Sequence, residues 1–299
     1  MSMPKPMPAK LRINKLVIIG VGLIGGSFAL ALKKARIVKQ VVGVGRSRKN
    51  LQVALRRGII DRAETDAARA VIDADLVLVG VPVGQMSGVF ARIAPALPPH
   101  AVVTDAGSTK QDVIAAARRH LGSHFAQFVP AHPIAGNEHS GAAAAFPELF
   151  RDRNLILVPQ AETKAAAVRL VRAAWTACGA RIVRLQAAEH DEIFGAVSHL
   201  PHVAAFALVS LLAQRRDAKR LLGFSGGGLR DTVRIAGSSP EMWRDICTAN
   251  RAALVPLLDG YISELEAARA ALAAGDGDAL EAMFSAAQRA RARWLIKRD

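Results

Sequence analysis

Residues 15–35 read KLVIIGVGLIGGSFALALKKA, and they decide the fold. Lys15–Ile19 is a short apolar run closing on Gly20, the pattern of a parallel strand buried on both faces. Gly20, Gly22 and Gly25 fit G-x-G-x-x-G, and an apolar helical segment follows. Between a strand and a helix, each glycine has its own role. The first permits the tight turn, the second lets backbone approach a pyrophosphate, and the third lets helix and strand pack closely. The unpaired N–H groups of the helix start attract the phosphates. Gly20, Gly22, Leu23, Ile24 and Gly25 are therefore expected to cradle a dinucleotide.

Further apolar runs follow at Gln40–Val44, Ala74–Val81 (cut off by Pro82), Ala101–Asp105, Phe128–Ala131 and Asn154–Val158, with helical segments between most of them. This alternation predicts an α/β fold, a Rossmann-type doubly wound parallel sheet. Val81 and Pro82, at the carboxyl end of a strand, are expected beside the cofactor. From Leu185 onward no strand is predicted. Helices are read over Ala187–Ala213, Trp243–Ala274 and Asp278–Lys297, interrupted by a glycine-rich break at Ser225–Gly228. The expected organisation is a disordered N-terminus over 1–12, a dinucleotide-binding domain over 13–184 and an all-helical domain over 185–299.

Composition narrows the function classes. In 299 residues, 51% are hydrophobic and 22% charged, which provides for a sizeable core and argues against disorder. Cys178 and Cys247 are too few for an oxidised framework, and no apolar leader opens the chain, so reduced thiols in a cytoplasmic protein are expected. The most apolar stretch, Ala196–Ala213, contains His199, Pro201 and His202; it is read as a buried core helix, and no membrane partner is expected. The net charge of +15 raises the question of nucleic acid. Its densest clusters, 46–49, 215–220 and 289–298, carry no interleaved aromatic residues, so they read as solvated surface that helps attract anionic cofactor and substrate.

An NAD-binding chain usually carries Asp or Glu at the end of its second strand to hold the ribose 2′-hydroxyl. Here the sequence is Val44-Gly45-Arg46-Ser47-Arg48. Arg46 suits a 2′-phosphate and Ser47 can hydrogen-bond to it, so NADP is expected in preference to NAD.

Three later segments carry polar residues where open α/β sheets bind ligands, beyond the strand ends: Asp105-Ala-Gly-Ser-Thr-Lys110, His132-Pro-Ile-Ala-Gly-Asn-Glu138 and Ser198-His-Leu-Pro-His202. Arg234 in R-I-A and Trp243 in M-W-R-D follow. With the glycine-rich turn, this ordered set over about 15–251 resembles the prephenate/arogenate (cyclohexadienyl) dehydrogenase family of tyrosine biosynthesis. The resemblance implies oxidative decarboxylation of a cyclohexadienol by NAD(P), and a homodimer formed through the helical domain. It also implies His132 as the catalytic base and Ser108 as the residue that orients it and bonds the ring hydroxyl. Ser108 is placed to cap the following helix as well. His202, Arg234, Trp243 and Asn137 would contact substrate, with Arg234 suited to a carboxylate. His199 and His202 have no third ligand near them in sequence, so no metal is expected. His139 and His190 read as surface histidines.

Two other readings have distinguishing marks. A β-hydroxyacid dehydrogenase resembles this organisation but has a catalytic lysine on the long helix of its second domain; here that helix offers His199 and His202, and no lysine until Lys219. A dinucleotide-sensing or nucleic-acid-binding protein would not need His132 and Ser108 facing the nicotinamide, and would bind DNA with a steep salt dependence.

Overall fold

Alternation inside the apolar runs builds the first sheet. Along β1 (Ile13–Ile19), Leu16 and Ile18 enter one core while Val17 and Ile19 enter another. The chain continues through α1 (Leu23–Lys34), β2 (Val38–Val44), α2 (Arg48–Arg56), β3 (Arg62–Glu64), α3 (Ala67–Val71) and β4 (Leu76–Val79). Then come α4 (Val83–Ile93), β5 (Val102–Asp105), α5 (Gln111–His120) and β6 (Phe128–Val129). These strands form a six-stranded parallel sheet in the order β3-β2-β1-β4-β5-β6. In β4, Leu76 and Leu78 join the first core, and Val77 and Val79 the second. Because a parallel strand is covered on both faces, it reads as continuous apolar sequence.

Residues 12–136 and 139–296 are described in the computed structural model of the chain; the expected disordered segment, apart from Arg12, lies outside them. Contacts divide the chain into two units, Met1–Arg251 and Ala252–Asp299.

The expected strand over 128–131 is two strands in two sheets. β6 ends at Val129, Pro130 intervenes, and β7 (Ala131–Pro133) pairs antiparallel with β8 (Asn154–Leu157). Pro130 has no N–H with which to continue the parallel ladder. After α6 (Ala165–Ala177), β9 (Arg181–Arg184) pairs parallel with β8 and completes a three-stranded sheet. This second sheet turns His132 away from the main ladder.

Asp105, at the end of β5, fastens the two sheets together. One carboxylate oxygen accepts from the Ala131 amide at 3.0 Å, and the other from Gly107 at 2.8 Å and from the Lys110 ammonium. Lys110 also donates to the Ala131 carbonyl at 2.9 Å. Both charged side chains are fully buried.

From α7 (Ala187–Phe194) the chain runs through a π-helical turn at Gly195–His199 into α8 (Leu200–Ala213). Pro201 cannot donate within the helix, and a bulge of this kind accommodates such a residue. This helix is not the buried core helix that its composition predicts. Over 187–213 it is long and apolar enough to cross a membrane, yet only 11% of its most apolar stretch is buried. Its buried residues include His190, Asp191, Phe194, His199 and Ala205, while Val197 and Leu211 are exposed. The single chain covers one side of it only.

Next are α9 (Ala218–Gly223), α10 (Gly227–Val233) and α11 (Pro240–Ala249). The glycine-rich break is in part the start of a helix, since Gly226 precedes α10. The helix expected over 243–274 is broken at Asn250, whose buried amide donates to the Asp191 carbonyl at 2.7 Å. The second unit contains most of α12 (Arg251–Ala274) and α13 (Gly277–Ile296), and it exposes Ile262, Leu265, Leu272 and Phe284.

Replacing Asp105 with alanine leaves the Lys110 ammonium buried and uncompensated. The expected loss is about 3–5 kcal/mol, read as a lowered urea midpoint. An unchanged midpoint would mean that the pair does not hold the two sheets together.

Candidate active site

The ends of β1, β4, β5 and β7 converge on a cleft of about 570 Å³. The glycine-rich turn forms one wall. Gly20 has φ +97°, and a Cβ there would lie 2.5 Å from the Gly80 carbonyl oxygen. A Cβ at Gly25 would lie 2.5 Å from the Gly20 oxygen, so close packing of α1 on β1 requires glycine there. A Cβ at Gly22 would meet nothing within 4 Å. That open approach adjoins the start of a 12-residue helix with no side-chain cap and no acidic residue in its first turn. Backbone open to the cleft and unpaired N–H groups fit a pyrophosphate. Leu23, Ile24, Val81 and Pro82 complete this wall.

The opposite wall carries the titratable groups. Ser108, in the loop between β5 and α5, and His132, on β7, both line the cleft. Ser108 does not cap α5. Asp191 of α7 does so instead, its two oxygens accepting from the Lys110 and Gln111 amides at 2.8 and 2.9 Å. Behind His132 lies His190, with Nδ1 of the first 2.8 Å from Nε2 of the second. His190 Nδ1 is in turn 2.8 Å from Asp191 Oδ1. Phe194 packs against both imidazoles, at ring-centroid distances of 4.9 and 4.6 Å.

Burial, reinforced by neighbouring His190 and Lys110, holds the His132 pKa well below its ordinary value. Burial likewise lowers that of His190, against the pull of Asp191. Although burial pushes the Asp191 carboxyl upward, hydrogen bonds from His190 and the Gln111 and Lys110 amides bring it below its usual range. The group therefore consists of two neutral imidazoles and one carboxylate.

The long helix contributes His202, which stacks on Trp243 of α11 at a centroid distance of 3.5 Å and an interplanar angle of 20°. Its Nδ1 donates to the Ser198 carbonyl at 2.8 Å. Burial lowers its pKa, the hydrogen bond to Ser198 raises it, and Arg234 lowers it further. Arg234 begins the 3₁₀ turn before α11 and lines the cleft. His199 is buried behind this wall, 3.0 Å from the Asn250 amide, and burial lowers its pKa to about 4.

The cleft thus brings together Gly22, Leu23, Ile24, Val81, Pro82, Ser108, His132, His202, Arg234 and Trp243. Gly20 and Gly25 stand behind it as packing positions. Arg46 and Ser47 are exposed at the far end of β2, where Ser47 Oγ caps α2 by accepting from the Asn50 amide at 3.2 Å. Asn137 lies outside the described residues. Sequence reading missed His190, which is fully buried rather than on the surface. Its signal was the adjoining Asp191, an acceptor that lets a histidine enter a core. His139, exposed as expected, is at the rim of the cleft together with Ser140.

Comparison with known proteins bears on the family and the fold. The family model "Prephenate dehydrogenase, nucleotide-binding domain" matches residues 28–184, and "Prephenate dehydrogenase, dimerization domain" matches 186–286. The chain is 38% identical to the cyclohexadienyl dehydrogenase of Zymomonas mobilis, over 92% of this chain and 94% of that protein. The crystal structure of prephenate dehydrogenase from Aquifex aeolicus, in complex with hydroxyphenyl propionate and NAD+, superposes with a TM-score of 0.85 at 30% identity, covering 95% of this chain and 99% of that one. The arogenate dehydrogenase of Synechocystis superposes with a TM-score of 0.75 at 27% identity, covering 94% and 99%.

A Cβ at Gly22 meets no neighbour within 4 Å, so a valine side chain there fills the open approach. Dinucleotide affinity, followed by fluorescence titration, should fall at least ~10-fold with little change in thermal stability, because backbone contact with the pyrophosphate is blocked. Unchanged affinity would move the dinucleotide away from this turn.

Proposed function

The chain belongs to the prephenate dehydrogenase family, and on that premise we propose how its residues divide the work. It is an NAD(P)-dependent dehydrogenase that oxidatively decarboxylates prephenate or arogenate, yielding 4-hydroxyphenylpyruvate or tyrosine. The observation that carries the assignment of roles is the neutral, half-buried imidazole of His132, which lines the same cleft as Ser108 and the glycine-rich turn.

A bound nicotinamide dinucleotide supplies the hydride acceptor, held by Gly22, Leu23, Ile24, Val81 and Pro82. His132 accepts the proton of the ring hydroxyl as hydride leaves the carbon bearing it. The bond to the ring carboxylate breaks, carbon dioxide departs, and the electron pair left behind makes the ring aromatic as a phenolate, which takes back a proton from His132. Ser108 hydrogen-bonds the hydroxyl and keeps it facing the imidazole. Arg234 offers a planar fork to a substrate carboxylate. His202, stacked on Trp243, forms the wall against which the substrate lies, and Asn137 contributes from the loop after β7.

NADP is the preferred cofactor in this reading. Its support is Arg46 and Ser47 beyond β2, where the carboxylate that would favour a 2′-hydroxyl is missing. The chain works as a homodimer through its helical part. In support, the matched family domain is one of dimerisation, and Leu211, Phe224, Leu265 and Phe284 lie exposed.

The deciding experiment crosses prephenate and arogenate with NADP and NAD and follows absorbance of the reduced nicotinamide. Reduction with at least one pair is expected, faster with NADP. A higher kcat/KM with NAD would overturn the cofactor preference, and no reduction from any pair by folded, dinucleotide-binding protein would overturn the reaction.

His132→Asn should lower kcat by roughly 10²- to 10⁴-fold with dinucleotide affinity intact, the range for losing a general base. Near-normal turnover would remove His132 from the mechanism. The pH profile provides a second check. Protonation disables this base, and its pKa lies well below 6.5. The acidic limb of kcat/KM should therefore appear below pH 6.5, and a limb at or above that value would mean that another group is titrating.

A further inference from the structure

We propose that His190 and Asp191 fix the tautomer of His132, so that its basic nitrogen faces the cleft before substrate arrives. This rests on the reading of His132 as the base and adds two residues, neither in contact with substrate, that position it.

Hydrogen-bond polarity runs one way through the cluster. Asp191 accepts from the Lys110 and Gln111 amides at the start of α5, and those bonds, with His190, keep it ionised despite burial. A carboxylate can only accept, so the 2.8 Å contact with His190 places that histidine's proton on Nδ1. A neutral imidazole has one N–H, so His190 Nε2 is an acceptor. Its 2.8 Å partner, His132 Nδ1, must then be the donor. His132 is left with its lone pair on Nε2, the nitrogen that a base in the cleft needs. The opposite tautomer would set two acceptor nitrogens against each other at 2.8 Å inside an apolar surround that includes Phe194.

Among the described residues, two neighbouring polar atoms are engaged elsewhere, while His199 Nε2 and Thr109 Oγ1 are buried without a hydrogen-bond partner. Lys110 is committed to Asp105 and the Ala131 carbonyl, and His199 accepts from the Asn250 amide. Asp191 thus does two things: it caps α5, the helix that follows the Ser108 loop, and sets the proton on His190. One carboxylate thereby couples the position of Ser108 to the protonation of His132.

The test is a long-range proton–nitrogen spectrum of protein labelled with ¹⁵N-histidine, without substrate, at neutral pH, with His132 assigned by the peak lost in His132→Asn. His132 should show a protonated Nδ1 and an unprotonated Nε2. In His190→Leu the acceptor is gone, and the ring should change to the Nε2–H form. With it, kcat should fall about 10²-fold while substrate KM and dinucleotide affinity stay within about threefold, since only the base is mispresented. His190→Gln, whose amide oxygen can still accept from Nδ1–H, should recover most of kcat. A merely structural role would move stability and KM together and leave the tautomer unchanged. An Nε2–H form in the wild-type enzyme, or wild-type kcat in His190→Leu, would overturn the proposal. If His190→Leu does not fold, the wild-type spectrum and a His190→Gln variant as slow as His132→Asn would still count against it. Normal turnover in His132→Asn alongside the expected tautomer would instead reject His132 as the base.

Discussion

The Asp105 carboxylate at the end of β5 is the point on which the site depends. Its two oxygens take three donors: the Ala131 amide on β7, the Gly107 amide before Ser108, and the Lys110 ammonium. All are buried, so each bond forms where water cannot substitute, and loss of one partner would strand a charge. The carboxylate fixes the Ser108 loop after β5 and His132 on β7 side by side. The glycine-rich turn then fills the remaining side of the cleft, because Gly20 and Gly25 let α1 lie close to β1 and β4.

A second carboxylate repeats this arrangement from the helical half of the family organisation. Asp191 reaches back to cap α5, and its neighbour His190 stands behind His132. The two family domains meet at residues 184–186, yet the unit defined by contacts extends to Arg251. The reason is visible in the cluster: the side chains that complete the cleft, His202, Arg234 and Trp243, come from helices after that boundary. The side chains that line the cleft come from both sheet-bearing and helical parts, so neither part forms the whole cleft.

The apolar surface of the helical part has its own logic. A 27-residue helix with only 11% of its apolar stretch covered would be costly in water as an isolated chain. Its composition matches a core, while most of that stretch lies uncovered in the single chain. Sequence hydrophobicity reports that a residue will be buried but does not identify the partner that buries it.

Much was legible in sequence because it was local. Gly20, Gly22 and Gly25 encode a turn within one strand-to-helix step, although Gly20 also leaves room for the Gly80 carbonyl, and the apolar runs encode strands buried on both faces. The ordered motifs through Trp243 identified the family and most of the cleft wall in chemical terms. Tertiary structure decided what depends on long-range contact. Pro130 divides one apolar run between two sheets, which no periodicity reveals. Asn250 breaks a helix by donating to a carbonyl 59 positions away. His190 looked like a surface residue because its burial depends, besides the adjoining Asp191, on His132, 58 positions away in sequence. The identity of the groups was thus written in the chain, while the direction of their protons was set only when distant polar atoms were brought to hydrogen-bond distance.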